Sequence, residues 1–215
     1  MPEDSEYTKQ DDDKLYPCPV GKPLTTGEVA LIKGIFGNEI NTDIVRKYLY
    51  PEERPGVPGK VIPAQTFGTD SIKFYGPRYI SADYSQTDNI FNFGSFVHEM
   101  THIWQNQTSA PHTDDINYDY TLTPQSVFSD FGQEEQASII EDYARQFLYS
   151  GKNPSPRRSF GKDDPRTLPL LKKLVEDNFP QAQKTRLAME EQRRKAAPAA
   201  RPPQLRKPAS QLMRI

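Results

Sequence analysis

Thiol chemistry is nearly absent from this sequence, in which Cys18 is the only cysteine. No intrachain disulfide can form and no thiolate cluster can hold a metal, which points to folding in a reducing compartment. Histidine is almost as scarce, with His98, His102 and His112 alone. No apolar run approaches the length that spans a bilayer, so no stable membrane insertion is expected. No secretory leader is expected either: the sequence opens on Glu3, Asp4, Glu6 and Asp11 to Asp13, where a positive start and an apolar stretch would be needed. A surplus of charge is also lacking. The formal net charge is -2 and the pI is near 6.0, so no global argument for nucleic acid exists. That balance hides an asymmetry, because the last forty residues are basic, from Lys184 and Arg186 through Arg193, Arg194 and Lys195 to Arg214.

What is present divides the chain into one packed body with tails. Twenty prolines and a mean hydropathy of -0.78 leave part of 215 residues outside any core. Residues 1 to 19 are charged and aperiodic and read as a disordered acidic arm. Thr25 and Glu28 then form a capping-box pattern, and Val29, Ile32, Ile35 and Phe36 repeat at helical spacing until Gly37. Short β-branched and aromatic runs between Ile44 and Ala64, broken by prolines, predict edge strands and turns, and Ser71 to Tyr75 alternates like a half-buried strand. A buried helix is predicted from Asn92 to Gln107, because Phe93, Phe96, Val97, Met100, Ile103 and Trp104 cover most of its circumference. Ser95, His98, His102 and Gln105 form its one polar strip. Tyr118 and Tyr120 suggest a strand over Ile116 to Leu122, and Ala137, Ile140, Tyr143, Ala144 and Phe147 predict a second buried helix from Gly132 towards Gly151. Residues 151 to 169 read as loop, Leu170 to Val175 as a short helix, and Gln181 to Ala197 as helix-prone and polar before a flexible tail.

The polar strip carries the chemistry. Histidines four residues apart stand one turn apart on one helix face, roughly 6 Å along the axis, so both imidazoles reach one tetrahedral ion. In His98-Glu99-Met100-Thr101-His102 the glutamate beside the first ligand is placed to take a proton from water that zinc acidifies. The plain alternative is a pair of core histidines with Glu99 as a chance neighbour. Against it stands the desolvation of three such groups in an apolar helix, on the order of several kcal/mol unless they are paired or metal-linked. Gln105 stands where a three-histidine motif needs glycine, so a glutamate from another helix is sought as third ligand. Glu134 and Glu135 open the second buried helix. Glu134 shares a face with Ala137 and Glu141, Glu135 one with Asp142, and the spacing leaves both open as ligand or as first-turn residue favoured by the helix dipole. Glu141 and Asp142 are candidates to fix a ligand imidazole, Tyr118 and Tyr120 to offer a phenol to a reacting carbonyl, and His112 reads as a solvated loop residue.

Three stretches together resemble the zincin-type metallopeptidase domains found at the ends of VgrG-type spike proteins of type VI secretion systems. They are Leu24 to Gly37, Phe96 to Gln105 and Glu134 to Tyr143. The resemblance implies an α+β, zincin-like fold in which the central helix packs on a second ligand-bearing helix beside a small irregular sheet or hairpins. It implies zinc as cofactor, His98, His102 and Glu134 as its ligands and Glu99 as general base. Glu134 is taken because the family carries its ligand at the first glutamate of a Glu-Gln-Gln-Ala sequence; the chain departs at the next position, Glu135. It further implies a peptide or protein substrate, a carrier in the secretion apparatus and an immunity protein as partners.

The expected organisation is an acidic arm (1–19), a zinc metallopeptidase domain (20–178) and a helix-prone basic segment with a tail (179–215). No spike repeat is expected before the domain, and the expectation is a free-standing relative carried as cargo. It would be made in the producer's cytoplasm and delivered without a Sec signal into a target cell or its periplasm. The function expected is an antibacterial or host-directed peptidase. A peptidoglycan stem-peptide endopeptidase, and a non-catalytic zinc-stabilised adaptor binding a partner through its basic tail, are the alternatives; nucleic acid is not an expected partner.

Overall fold

The structure, a computed structural model, describes residues 19–54, 62–113, 117–150 and 167–196. The acidic arm up to residue 18, most of the 151–169 loop and the tail beyond 196 lie outside them. The described residues form an α+β body of five α-helices and one mixed four-stranded sheet. None of these helices is long and apolar enough to cross a membrane.

Helix α1 (Thr26–Phe36) starts where the sequence places it. Thr25 Oγ1 accepts from the Glu28 amide at 3.1 Å and the Glu28 carboxylate accepts from the Thr25 amide at 2.8 Å. That carboxylate also holds Lys47 Nζ at 2.6 Å and the Tyr84 amide at 2.9 Å, so a fully buried side chain joins the helix cap to the sheet and to a distant loop. The helix ends at Gly37, whose φ of 64° suits glycine and whose amide bonds the Lys33 carbonyl.

Strands β1 (Lys22–Pro23), β2 (Arg46–Tyr50), β3 (Ala64–Phe67) and β4 (Ser71–Tyr75) lie in the order β1-β2-β4-β3. β2 and β4 run parallel from Arg46 opposite Ser71 to Tyr50 opposite Tyr75, and β3 and β4 form an antiparallel hairpin with Thr66 opposite Ile72. β3 is therefore an edge. Tyr84 ties the sheet to the central helix, stacked between Phe74 at 4.4 Å and Phe96 at 5.2 Å.

That central helix, α2 (Ile90–Thr108), starts two residues before the expected point because Asn89 caps it through the amides of Phe91 and Asn92. α3 (Gln133–Tyr143) packs along it and passes into a π-helical turn over Ala144–Leu148. α4 (Thr167–Asn178) is longer than the short helix expected at Leu170 to Val175. α5 (Pro180–Ala196) is held through buried Arg186, which bonds Glu176 of α4, and packs on α1, where Thr185 closes over Gly34. α5 thus packs on the described body through Arg186 and Thr185.

The expected strand over Ile116 to Leu122 does not form; Ile116 itself lies outside the described residues. Asn117 and Asp119 close on one another in an Asx turn, which takes the backbone groups a ladder would need. The tyrosine alternation has another origin: Tyr120 points inward, its hydroxyl donating to Asp142 at 2.9 Å, while Tyr118 stays half-exposed.

Candidate metal centre

Helix α2 presents His98 and His102 one turn apart, and the first turn of α3 brings Glu134 over both. Their nearest atoms form a triangle. His98 Nε2 is 3.2 Å from His102 Nε2, and Glu134 Oε2 is 3.0 Å from the first and 3.2 Å from the second. Ligands about 2.0–2.1 Å from a tetrahedral zinc stand about 3.3 Å apart, so the triangle has the dimensions of one tetrahedral face. Two imidazole lone pairs and a carboxylate oxygen at that spacing repel unless a cation or shared protons lie among them. The residues present therefore fit a zinc ion.

The far side of each imidazole is also held. Gln105 Oε1 lies 2.8 Å from His102 Nδ1, and the Gln105 amide nitrogen donates to the Gln133 carbonyl at 3.0 Å and to Gln136 Oε1 at 2.9 Å. The two donated bonds fix which end of the amide faces His102, so Nδ1 carries the proton and Nε2 presents its lone pair. Glu141 plays the corresponding part for His98, its Oε2 lying 3.2 Å from Nδ1. The face shared by Glu134 and Glu141 in the sequence is the face that meets His98 on both sides.

Glu135 turns the other way. Its carboxylate accepts from the Gly132 amide at 2.8 Å and caps α3, so the two neighbouring glutamates make different contacts. Asp142, the other candidate for holding an imidazole, receives Tyr120 instead. His112 is exposed, bonded to the Ala110 carbonyl, and takes no part in the triangle.

Glu99 lines the same cleft of about 280 Å³, with His98, His102, Glu134, Tyr118, Asn106, Gln133 and the β3 residues Ala64, Gln65 and Thr66. Burial pushes its carboxyl up from the usual range. Thr66 Oγ1 lies 2.8 Å from its Oε2. Burial disfavours charge on His98, but the carboxylates of Glu134 and Glu141 outweigh this and push the imidazole up to about 10. Burial likewise opposes ionisation of Glu134, and bonding to His102 and His98 overcomes it, holding that carboxyl well below its usual range. Tyr118 stacks on the His98 ring at 6.0 Å, and partial burial, with the charges of Glu134 and Glu99, pushes its phenol up to about 12.

Two residues of this arrangement, Thr66 and Gln136, carry no signal in the sequence. Thr66 sits on a four-residue strand with no pattern of its own, and Gln136 feeds the Gln105 amide from across the helix pair. Gln105 stood on the polar strip three residues from His102, which was the available signal for its contact.

No family model matches the chain. Over 136 residues it is 29% identical to the type VI secretion system spike protein VgrG2b of Pseudomonas aeruginosa, covering 57% of this chain and 13% of that protein. It thus spans a small part of that relative's length. The solved effector domain of Pseudomonas aeruginosa VgrG2b is 26% identical and aligns over 66% of this chain and 92% of that domain, with a TM-score of 0.43. The chain is thus similar in sequence to a stretch of that spike protein.

Proposed function

We propose that this chain is a zinc-dependent metallopeptidase with a zincin-like site, and that it acts as an effector delivered by a type VI secretion apparatus into a target cell. The observation that carries the reading is the triangle of His98 Nε2, His102 Nε2 and Glu134 Oε2, with sides of 3.0 to 3.2 Å, opening on a cleft that also holds Glu99. The effector role rests on the similarity to VgrG2b.

His98, His102 and Glu134 would hold the ion, which when bound acts as a Lewis acid toward a carbonyl and acidifies water. Glu99 takes the proton from the attacking water as its oxygen adds to the peptide carbonyl carbon. The same carboxyl then delivers that proton to the nitrogen as the C–N bond breaks, leaving a carboxylate and an amine. Burial of Glu99 suits both steps, because a carboxyl raised toward neutrality accepts and returns a proton more evenly. Tyr118 stacks on His98 at the mouth with its hydroxyl bonded to Glu134, and would turn that hydroxyl toward a developing oxyanion. Glu141 and Gln105 hold the two imidazoles from behind.

Elemental analysis of protein purified without added metal tests the centre, with about one zinc per chain expected. Glu99→Gln should keep metal and fold while peptide hydrolysis, and toxicity on expression in the cytoplasm or periplasm of a test bacterium, falls by about a hundredfold or more. Less than about a quarter equivalent of zinc with no uptake on addition, or full activity in Glu99→Gln, overturns the proposal.

A further inference from the structure

Glycine inside a buried helix lowers helix stability and fills no space, so Gly94 in the middle of α2 needs a cause. The cause is Arg145. A Cβ on Gly94 would fall inside the guanidinium group of Arg145. Arg145 is 1% exposed and comes from the π-helical turn that continues α3. Its Nη2 meets Glu141 Oε1 at 2.5 Å and faces the Phe91 carbonyl at 3.4 Å, and its guanidinium lies over the Phe91 ring at 5.3 Å. The other oxygen of Glu141 is the one 3.2 Å from His98 Nδ1.

These contacts form one chain. We propose that Gly94, Arg145 and Glu141 are a clamp that fixes the imidazole of His98 for metal binding. Arg145 and Glu141 are its positioning residues, and Gly94 is the gap that admits the guanidinium. The proposal rests on the metal reading of the centre. Gly94, His98 and His102 are spaced by four along one helix, so the stripe that carries both ligands also carries, one turn earlier, the seat of the group that orients the first.

The chemistry of Glu141 explains why the clamp needs a carboxylate. It lies between two nitrogen groups at ion-pair distance, the guanidinium 2.5 Å from Oε1 and Nδ1 of His98 3.2 Å from Oε2. A glutamine has one acceptor and one donor end, so it can satisfy either partner and must turn an N–H toward the other. Arg145 also neutralises the carboxylate in a nearly solvent-free place, where an unpaired charge would be costly. The two ligand histidines are thus held by different means, His102 by a neutral amide and His98 by an ion pair.

The test measures zinc affinity of the full chain by competition with a chromophoric chelator, and the visible bands of the cobalt(II)-loaded protein as a signature of ligand geometry. Glu141→Gln should bind zinc about 10- to 100-fold more weakly, and Gly94→Ala, which alters neither a ligand nor Glu141, about tenfold more weakly; both should shift the cobalt bands. Glu141→Gln combined with Arg145→Met should recover most of the loss, since a single amide oxygen then has a single donor to serve. Wild-type affinity and cobalt bands in both single variants overturn the clamp, as does a double variant weaker than Glu141→Gln. Should Glu141→Gln fail to fold, Gly94→Ala with and without Arg145→Lys carries the same test: the slimmer ammonium group fits beside the added methyl and affinity returns, and no return overturns the clamp. A wild-type chain that takes up no zinc overturns the metal reading and the clamp with it, whereas wild-type uptake with unaffected variants removes the clamp alone.

Discussion

Thr66 Oγ1 lies 2.8 Å from Oε2 of Glu99 and 2.9 Å from the carbonyl oxygen of the same residue, so the edge strand β3 grips the glutamate of the central helix at two points. Thr66 bonds Glu99 and none of the three atoms of the triangle, and its substitution should leave metal content alone. Thr66→Val is expected to lower peptide hydrolysis by about tenfold or more, the worth of a hydrogen bond to a charged group, with zinc affinity unchanged. Thr66→Ser should retain most of the rate. Equal rates in Thr66→Val and wild type would show that the contact does not orient Glu99.

The separation of Glu134 from Glu135 gives a sharper contrast. Glu134→Ala removes one corner of the triangle, and zinc affinity should fall by at least about a hundredfold, or binding be lost. Glu135→Gln keeps an acceptor for the Gly132 amide and should change affinity by less than about threefold. Chelator competition on the two proteins reads both, and a larger loss for Glu135→Gln would reverse the assignment.

Glu28 and Lys47 are 0% and 2% exposed and carry a prediction about stability rather than catalysis. Breaking a buried pair by removing one partner leaves the other charge without compensation, so Lys47→Met should lower unfolding free energy by about 3–5 kcal/mol in urea. Glu28→Ala should do at least as much, because the helix cap and the Tyr84 amide lose their acceptor as well. The double variant should lose less than the two single losses added, and simple additivity would argue against a direct pair.

Acid should weaken the seam where α5 meets α4. Burial pushes the Glu176 carboxyl up, but its bonds to Arg186 and Tyr143 outweigh this and hold it below the usual range. A carboxyl depressed in the folded state adds stability that is present above its unfolded value, about 4.3, and is lost as pH falls through the folded value. The thermal midpoint of the wild type should therefore exceed that of Glu176→Gln at pH 7, and the gap should close below about pH 4. A gap that is constant between pH 7 and pH 3 would rule out this linkage.

Local patterns made some of this legible in the sequence. The Thr25–Glu28 cap, the buried helix around His98 and the common face of Glu134 and Glu141 all follow from spacings of three, four and seven residues, which a helix converts directly into contact. Tyr118 and Tyr120 misled for the same reason: alternation signals a strand, but here one tyrosine fills a slot on Asp142 and the other covers the cleft, without a ladder. The parallel pairing of β2 with β4, the hold of Thr66 on Glu99 and the seat of Arg145 on Gly94 join residues distant in the chain. Nothing local distinguishes such partners before the fold exists.

Trp104 is the chain's single tryptophan and stands two residues beyond His102. It is 8% exposed, stacked on Phe36 at 5.6 Å and edge-on to Phe179 at 5.1 Å, with Nε1 donating to Glu39 at 2.8 Å. Its indole thus joins α2 to α1 and, at Phe179, to the junction of α4 and α5. Emission excited at the red edge of the protein band therefore comes from one fluorophore at the joint of these helices. A spectral change on adding zinc would report strain passing down α2 from His102, whereas an unchanged spectrum would mark a centre rigid before the ion arrives.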